Sequence, residues 1–166
     1  LNVFENNLYA EAKSGEGVNA AHINLVIGRK GSSVEQAVLS SLSAPRAGYI
    51  PFFIVKRPNF PVKPFTLFVN KAEIRNEQHG IISWGSGQAG IAQGILHAVK
   101  AGFIPKYEVE NLVIIASIWI HPDASDGQLV YEHCFHATLS AVERAVTQMP
   151  DIEELLQNLE QATQTE

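Results

Sequence analysis

One cysteine, Cys134, is the whole thiol content of this 166-residue chain. A lone thiol excludes an internal disulfide and a zinc site built from cysteines. It fits a reducing compartment, so a cytoplasmic location is expected. No run of about 18 apolar residues exists, and no membrane span is expected. The first residues, Leu1 to Asn7, hold neither a basic patch nor an apolar stretch, so no secretion signal is visible. Because Leu1 is not methionine, the native start is expected upstream. Positive charge is scarce, with 12 Lys and Arg against 17 Asp and Glu, for a formal net charge of −5. A general nucleic-acid binder would show a basic face, so nucleic acid is not an expected partner. Basic residues gather locally at Arg29-Lys30 and at Lys56, Arg57, Lys63 and Lys71. They read either as a solvated rim or as a binding edge for an anionic small molecule.

What is present suffices for one domain, because a chain of this length buries roughly 70% of its unfolded surface. Leu8 to Ala12 reads as a short strand, Ser14 to Gly17 as a turn, and Val18 to Ile27 as the returning arm of a hairpin. Ser32 with Glu35 forms a capping box, and apolar spacing predicts a helix over 33–42, ended by Ala44-Pro45. Tyr49 to Lys56 is β-rich, with Pro51 marking an edge or a bulge. Pro58 to Pro64 reads as a stiff extended loop. Thr66 to Ile74 reads as a strand with Leu67, Val69, Lys71 and Glu73 on one face.

Asn76 to Ser83 suggests a short helix broken by Trp84-Gly85-Ser86-Gly87. A second helix is predicted from Gln88 to Ala101, with Gly102 as its stop and Gly90 and Gly94 allowing close backbone packing. Leu112 to Ile120 reads as a central strand buried on both faces. A helix from about Gly127 to Gln148 follows, and Met149-Pro150 closes the compact part. The expected division is thus a domain over 1–150 and a helical tail over 151–166. The order β-β-α-β-β-α-α-β-α predicts an α/β domain.

The chemistry centres on Ala21-His22-Ile23-Asn24-Leu25-Val26-Ile27-Gly28. Alternation puts Ala21, Ile23, Leu25 and Ile27 on one face and His22 and Asn24 on the other. Pattern alone reads His22 first as a half-buried histidine held by a backbone partner. The second reading is a proton donor with a fixed aim, since imidazole exchanges protons readily near neutrality. His133 and His136 are three apart on a predicted helix, but no acidic or cysteine partner completes them, so no metal site is expected. His97 reads as structural, His79 as solvated, and His121 as reaching either a site or a backbone carbonyl. The glycine-rich Trp84 to Gln88 lacks the features of a P-loop or a dinucleotide fingerprint. No serine elbow is present.

Several segments together resemble the formaldehyde-activating enzyme family. They are Ala21 to Ser32 (AHINLVIGRKGS), Pro58 to Pro64 (PNFPVKP), Thr66 to Lys71 (TLFVNK) and Gly102 to Pro105 (GFIP), in an order that holds from about Leu8 to Val146. The resemblance implies an α/β fold like ribosomal protein S5 domain 2, assembled as a ring-like homopentamer with substrate pockets between adjacent subunits. It implies condensation of formaldehyde with tetrahydromethanopterin, as co-substrate and not as a tightly bound cofactor, to methylenetetrahydromethanopterin and water. His22 matches the family's proton donor, and Lys71 and Gln88 match positions that contact the pterin.

Three positions depart from the family pattern. Asn24 stands where an aspartate is usual, Phe53 where a leucine is, and Glu73 where a threonine is. An aspartate beside a histidine favours the charged ring, whereas an amide only orients it. Glu73, two residues from Lys71, is expected either to supply the missing carboxylate or merely to pair with Lys71. The alternatives are therefore an active condensing enzyme, a paralogue that binds a pterin or a formaldehyde adduct without turnover, and an interaction protein that keeps only the ring.

Overall fold

A computed structural model describes residues 2–159. Two strands, β1 (Leu8–Ser14) and β2 (Ala21–Arg29), form the expected hairpin, with Ser14 opposite Ala21 and Leu8 opposite Ile27. Helix α1 (Ser33–Leu42) follows, capped by the Ser32 hydroxyl, which accepts from the Val34 amide. Short strands β3 (Phe52–Phe53), β4 (Val55–Arg57) and β5 (Phe60–Pro61) precede β6 (Phe65–Asn70). Helix α2 (Glu77–Ile81) runs through a π-helical turn (Ile82–Gly87) into α3 (Gln88–Ala101). Then come β7 (Leu112–Ile120), the long α4 (Gly127–Thr147) and α5 (Ile152–Gln157).

Five strands form one sheet in the order β1-β2-β7-β6-β3, parallel at β6–β7 and antiparallel elsewhere. Strand β7 lies at its centre. The main core fills the space between this sheet and α3 and α4, and holds Ile23, Leu25, Ile91, Ile95, Ile114 and Ile118. Helix–helix contact is close because Gly90 and Gly94 carry no side chain. A Cβ on Gly90 would sit 2.4 Å from the Tyr131 carbonyl, and one on Gly94 would sit 2.6 Å from Thr138 Cβ.

Among the described residues, the opposite face is covered only at one end. There α1 lays Val34 and Val38 over Leu67 and Val113. Along β7 the residues of this face run from Val113, 4% exposed, to Trp119, 40% exposed. The expectation that β7 is buried on both faces therefore holds for its first half. The other half is open, and β2 places His22 opposite Trp119 there.

Other expectations need correction. The strand foreseen over 66–74 ends at Asn70, whose side-chain amide donates to the carbonyls of Gly48 and Ala72 and turns the chain away. The β-rich run 49–56 is split into β3 and β4, and the proline-rich loop contributes β5, which pairs with β4 as a separate two-stranded hairpin. Trp84 to Gly87 does not break the helix. It widens the turn, which admits the two glycines without interrupting the helical path. His79 is buried on α2, its Nε2 bonded to the Ile120 carbonyl at 2.9 Å, so it is not solvated. The tail helix is seen as α5, exposed throughout, while residues 160–166 lie outside the described residues.

Candidate active site

Both arms of the β1–β2 hairpin build the open end of the sheet. On β1 the outward residues are Tyr9, Glu11 and Lys13, all exposed, alternating with Leu8 and Ala12 in the core. Register sets Lys13 opposite His22 and Glu11 opposite Asn24. From that diagonal position Glu11 reaches the ring, and its Oε2 lies 2.5 Å from His22 Nε2. On the next strand, Trp119 and Ser117 lie opposite His22 and Asn24.

Lys71 enters from the third side. Its backbone amide donates to the Ile118 carbonyl one step past the end of β6, and its Nζ donates to Asn24 Oδ1 at 3.1 Å. Partial burial pushes the Lys71 ammonium below its ordinary pKa, and the charge of Glu11 acts in the opposite direction. His22, Asn24, Lys71 and Glu11 therefore make one cluster. An open groove of about 770 Å³ adjoins it, running from Lys71 along Val69 and Asn70 to Ser40, Ser41, Arg46 and Tyr49.

The hairpin turn that delivers His22 is anchored to α4. Asn19 accepts from the Ser125 and Asp126 amides through its side chain, and its carbonyl meets His133 Nδ1 at 2.8 Å. The His133 ring fills the space above Gly15, where a Cβ would come within 2.4 Å of it and where φ is +80°. His133 is thus a fastener for the turn, and His136 does not join it. Among the described residues no cluster of three or more metal-ligating side chains occurs.

The remaining expected residues lie elsewhere in the single chain. Phe53 sits in the small core beneath α1, its ring 5.2 Å from that of Phe65. Gln88 starts α3 on the helical side of the sheet and binds the backbone of Val55 through both amide atoms, at 3.1 and 3.2 Å. Glu73 follows β6 in a loop and pairs with Arg75, its Oε2 2.6 Å from Nη2. The carboxylate at the imidazole is that of Glu11, not Glu73. Sequence reasoning missed Glu11, although alternation along Leu8 to Ala12 is a signal that puts it on the face opposite Leu8 and Ala12. The missing information was the hairpin register.

A family model described as formaldehyde-activating enzyme (Fae) matches residues 9–165. The 5,6,7,8-tetrahydromethanopterin hydro-lyase of Methanosarcina barkeri is 40% identical over 159 residues, covering 94% of this chain and 89% of that protein. The bifunctional enzymes Fae/Hps of Methanosarcina mazei and Methanosarcina acetivorans are each 39% identical over 153 residues, covering 92% of this chain but 39% of their own length. On the match over nearly its whole length, this chain belongs to the formaldehyde-activating enzyme family.

Proposed function

We propose that this chain condenses formaldehyde with tetrahydromethanopterin, or a related reduced pterin, to the methylene adduct and water, with His22 as general acid. The observation that carries this reading is an imidazole on an open sheet end, held by a carboxylate and flanked by the Asn24–Lys71 pair. The relative named for tetrahydromethanopterin and for hydro-lyase chemistry supports the choice of substrate.

The chemistry needs such an acid. A pterin nitrogen adds to the aldehyde carbon to give a carbinolamine. Hydroxide leaves poorly, so the oxygen must be protonated before the carbon–oxygen bond breaks. His22 donates that proton, water departs, and an iminium ion remains for the second pterin nitrogen to attack. The proton released on ring closure restores the acid. A positioned general acid contributes about 10²–10⁴-fold, and holding both reactants together adds an entropic advantage. Lys71 and Asn24 present a donor and an acceptor beside His22 for the pterin, and Gln88, Phe53 and Glu73 are further binding positions.

Family membership also supports the fold of ribosomal protein S5 domain 2 and a ring-like homopentamer with pockets between subunits. The test of the activity is the rate with purified protein, formaldehyde and tetrahydromethanopterin, compared with the spontaneous reaction. His22→Ala should lose about 10²–10⁴-fold of the acceleration. A wild-type rate no faster than the spontaneous one rejects the reading.

A further inference from the structure

We infer that Glu11 is a positioning residue that keeps a proton on Nε2 of His22 and so leaves Nδ1 as the nitrogen that gives and regains the working proton. The catalytic part of this inference rests on the proposed role of His22. The structural part does not.

Strand β1 lies at the edge of the sheet, so Glu11 meets β2 on one side only. A diagonal pair across an antiparallel ladder is within reach of a long side chain, and Glu11 Oε2 closes to 2.5 Å from Nε2. An ionised carboxylate can only accept a hydrogen bond. The hydrogen between the two groups therefore belongs to Nε2 in both the neutral and the charged ring, because the partner of one ring nitrogen sets the tautomer. Nδ1 then carries the lone pair of the neutral ring and the mobile proton of the cation.

The surrounding charges leave this task to Glu11. Lys13, directly opposite His22, pairs with Glu16 at 3.2 Å. Lys71 is engaged with Asn24. Arg144 of α4 lies 3.9 Å from Glu11 Oε1 and donates to the Glu11 carbonyl at 3.4 Å, so the second carboxylate oxygen has its own cationic neighbour. Among the described residues, Glu11 is the carboxylate in contact with the His22 ring. Asn24 holds the lysine, and Glu11 holds the imidazole. The residue two places after the histidine is thereby freed from orienting it, which accounts for an oriented ring in a chain that carries asparagine there.

In the proposed reaction the Nδ1 proton passes to the hydroxyl of the carbinolamine, which leaves as water. The ring becomes neutral and keeps its Nε2 hydrogen. The proton lost by the second pterin nitrogen on ring closure returns to Nδ1.

The experiment compares the full chain with Glu11→Gln and Glu11→Asp, each checked for an unchanged melting temperature. Nitrogen-15 spectra of the His22 ring, recorded where it is neutral, should show the Nε2–H tautomer in the wild type. Glu11→Gln should give a mixture, since an amide can donate as well as accept, and Glu11→Asp should recover part of the bias. In the condensation assay Glu11→Gln should lower kcat about 10-fold or more, a share of what a positioned acid contributes, with KM for the pterin little changed. A wild-type neutral ring protonated on Nδ1, or a tautomer unaffected by Glu11→Gln, overturns the inference. A wild type that does not accelerate the reaction overturns the reading of His22 as acid, and the spectra still decide what Glu11 does to the ring.

Discussion

Strand β2 carries a basic side chain near each end, and each meets a different glutamate from elsewhere in the chain. At the open end Glu11 meets His22 in an exposed pair. At the other end Arg29 meets Glu108, whose side chain is buried and also accepts from Asn2 at 2.7 Å and Asn111 at 3.2 Å. These donors, the Asn2 amide first, hold the Glu108 carboxyl below its ordinary pKa against the opposing effect of burial. The sign follows from linkage: a depressed folded-state pKa adds stability above the unfolded value and loses it as pH falls through the folded value. Glu108→Gln should therefore melt below the wild type at neutral pH. The gap should narrow as pH drops below about 4.5, the range where an ordinary glutamate protonates. Thermal melts across that range check it, and a gap independent of pH would show that the charge of Glu108 is not what matters. An exposed ion pair is worth only about 0–1 kcal/mol, so the Glu11–His22 pair is suited to chemistry more than to stability.

Elements were legible where one periodicity dominates. The helix at 33–42 and the strand at 112–120 fall where apolar spacing puts them, because each buries a continuous stripe or run. The glycine-rich segment is the exception, because its composition predicts a break where the chain keeps a helical path. Tertiary packing overrides that cost here: Gly87 and Gly90 lie against Ile120 and the α4 backbone, so their lack of a side chain is used. Gly85 is different, because a Cβ there would meet nothing within 4 Å. Gly90→Ala should thus destabilise by about 1–3 kcal/mol through overpacking. Gly85→Ala should be neutral or stabilise by up to about 1 kcal/mol through helix propensity. Denaturant unfolding of both variants tests this, and equal effects would mean that the π-helical turn, not the α3–α4 contact, sets the requirement for glycine. The site was less legible than the helices for a related reason. His22, Asn24 and Lys71 sit in recognisable segments, whereas Glu11 depends on which β1 residue faces which β2 residue. A six-residue connection between Ser14 and Ala21 does not fix that register.

At the scale of the molecule, one chain gathers only part of the expected binding set. His22, Asn24 and Lys71 share the open sheet end, while Gln88 lies on the helical side and Phe53 beneath α1. If all of them touch one pterin, a second copy must supply what the first cannot, as in a pocket between adjacent subunits. A closed ring built from one repeated heterologous contact provides such a pocket at every interface. For the proposed homopentamer, sedimentation should give a mass five times that of the 18.2 kDa chain. Complementation is the stricter test. His22→Ala and Gln88→Ala copies, inactive alone, are mixed by unfolding and refolding together. A pocket that takes His22 from one copy and Gln88 from its neighbour has both intact residues in about one interface in four. Mixed rings should regain activity to that extent. No recovery, with rings formed normally, would place His22 and Gln88 of the same chain in one pocket. Gln88 would then have to leave the Val55 backbone to reach the pterin.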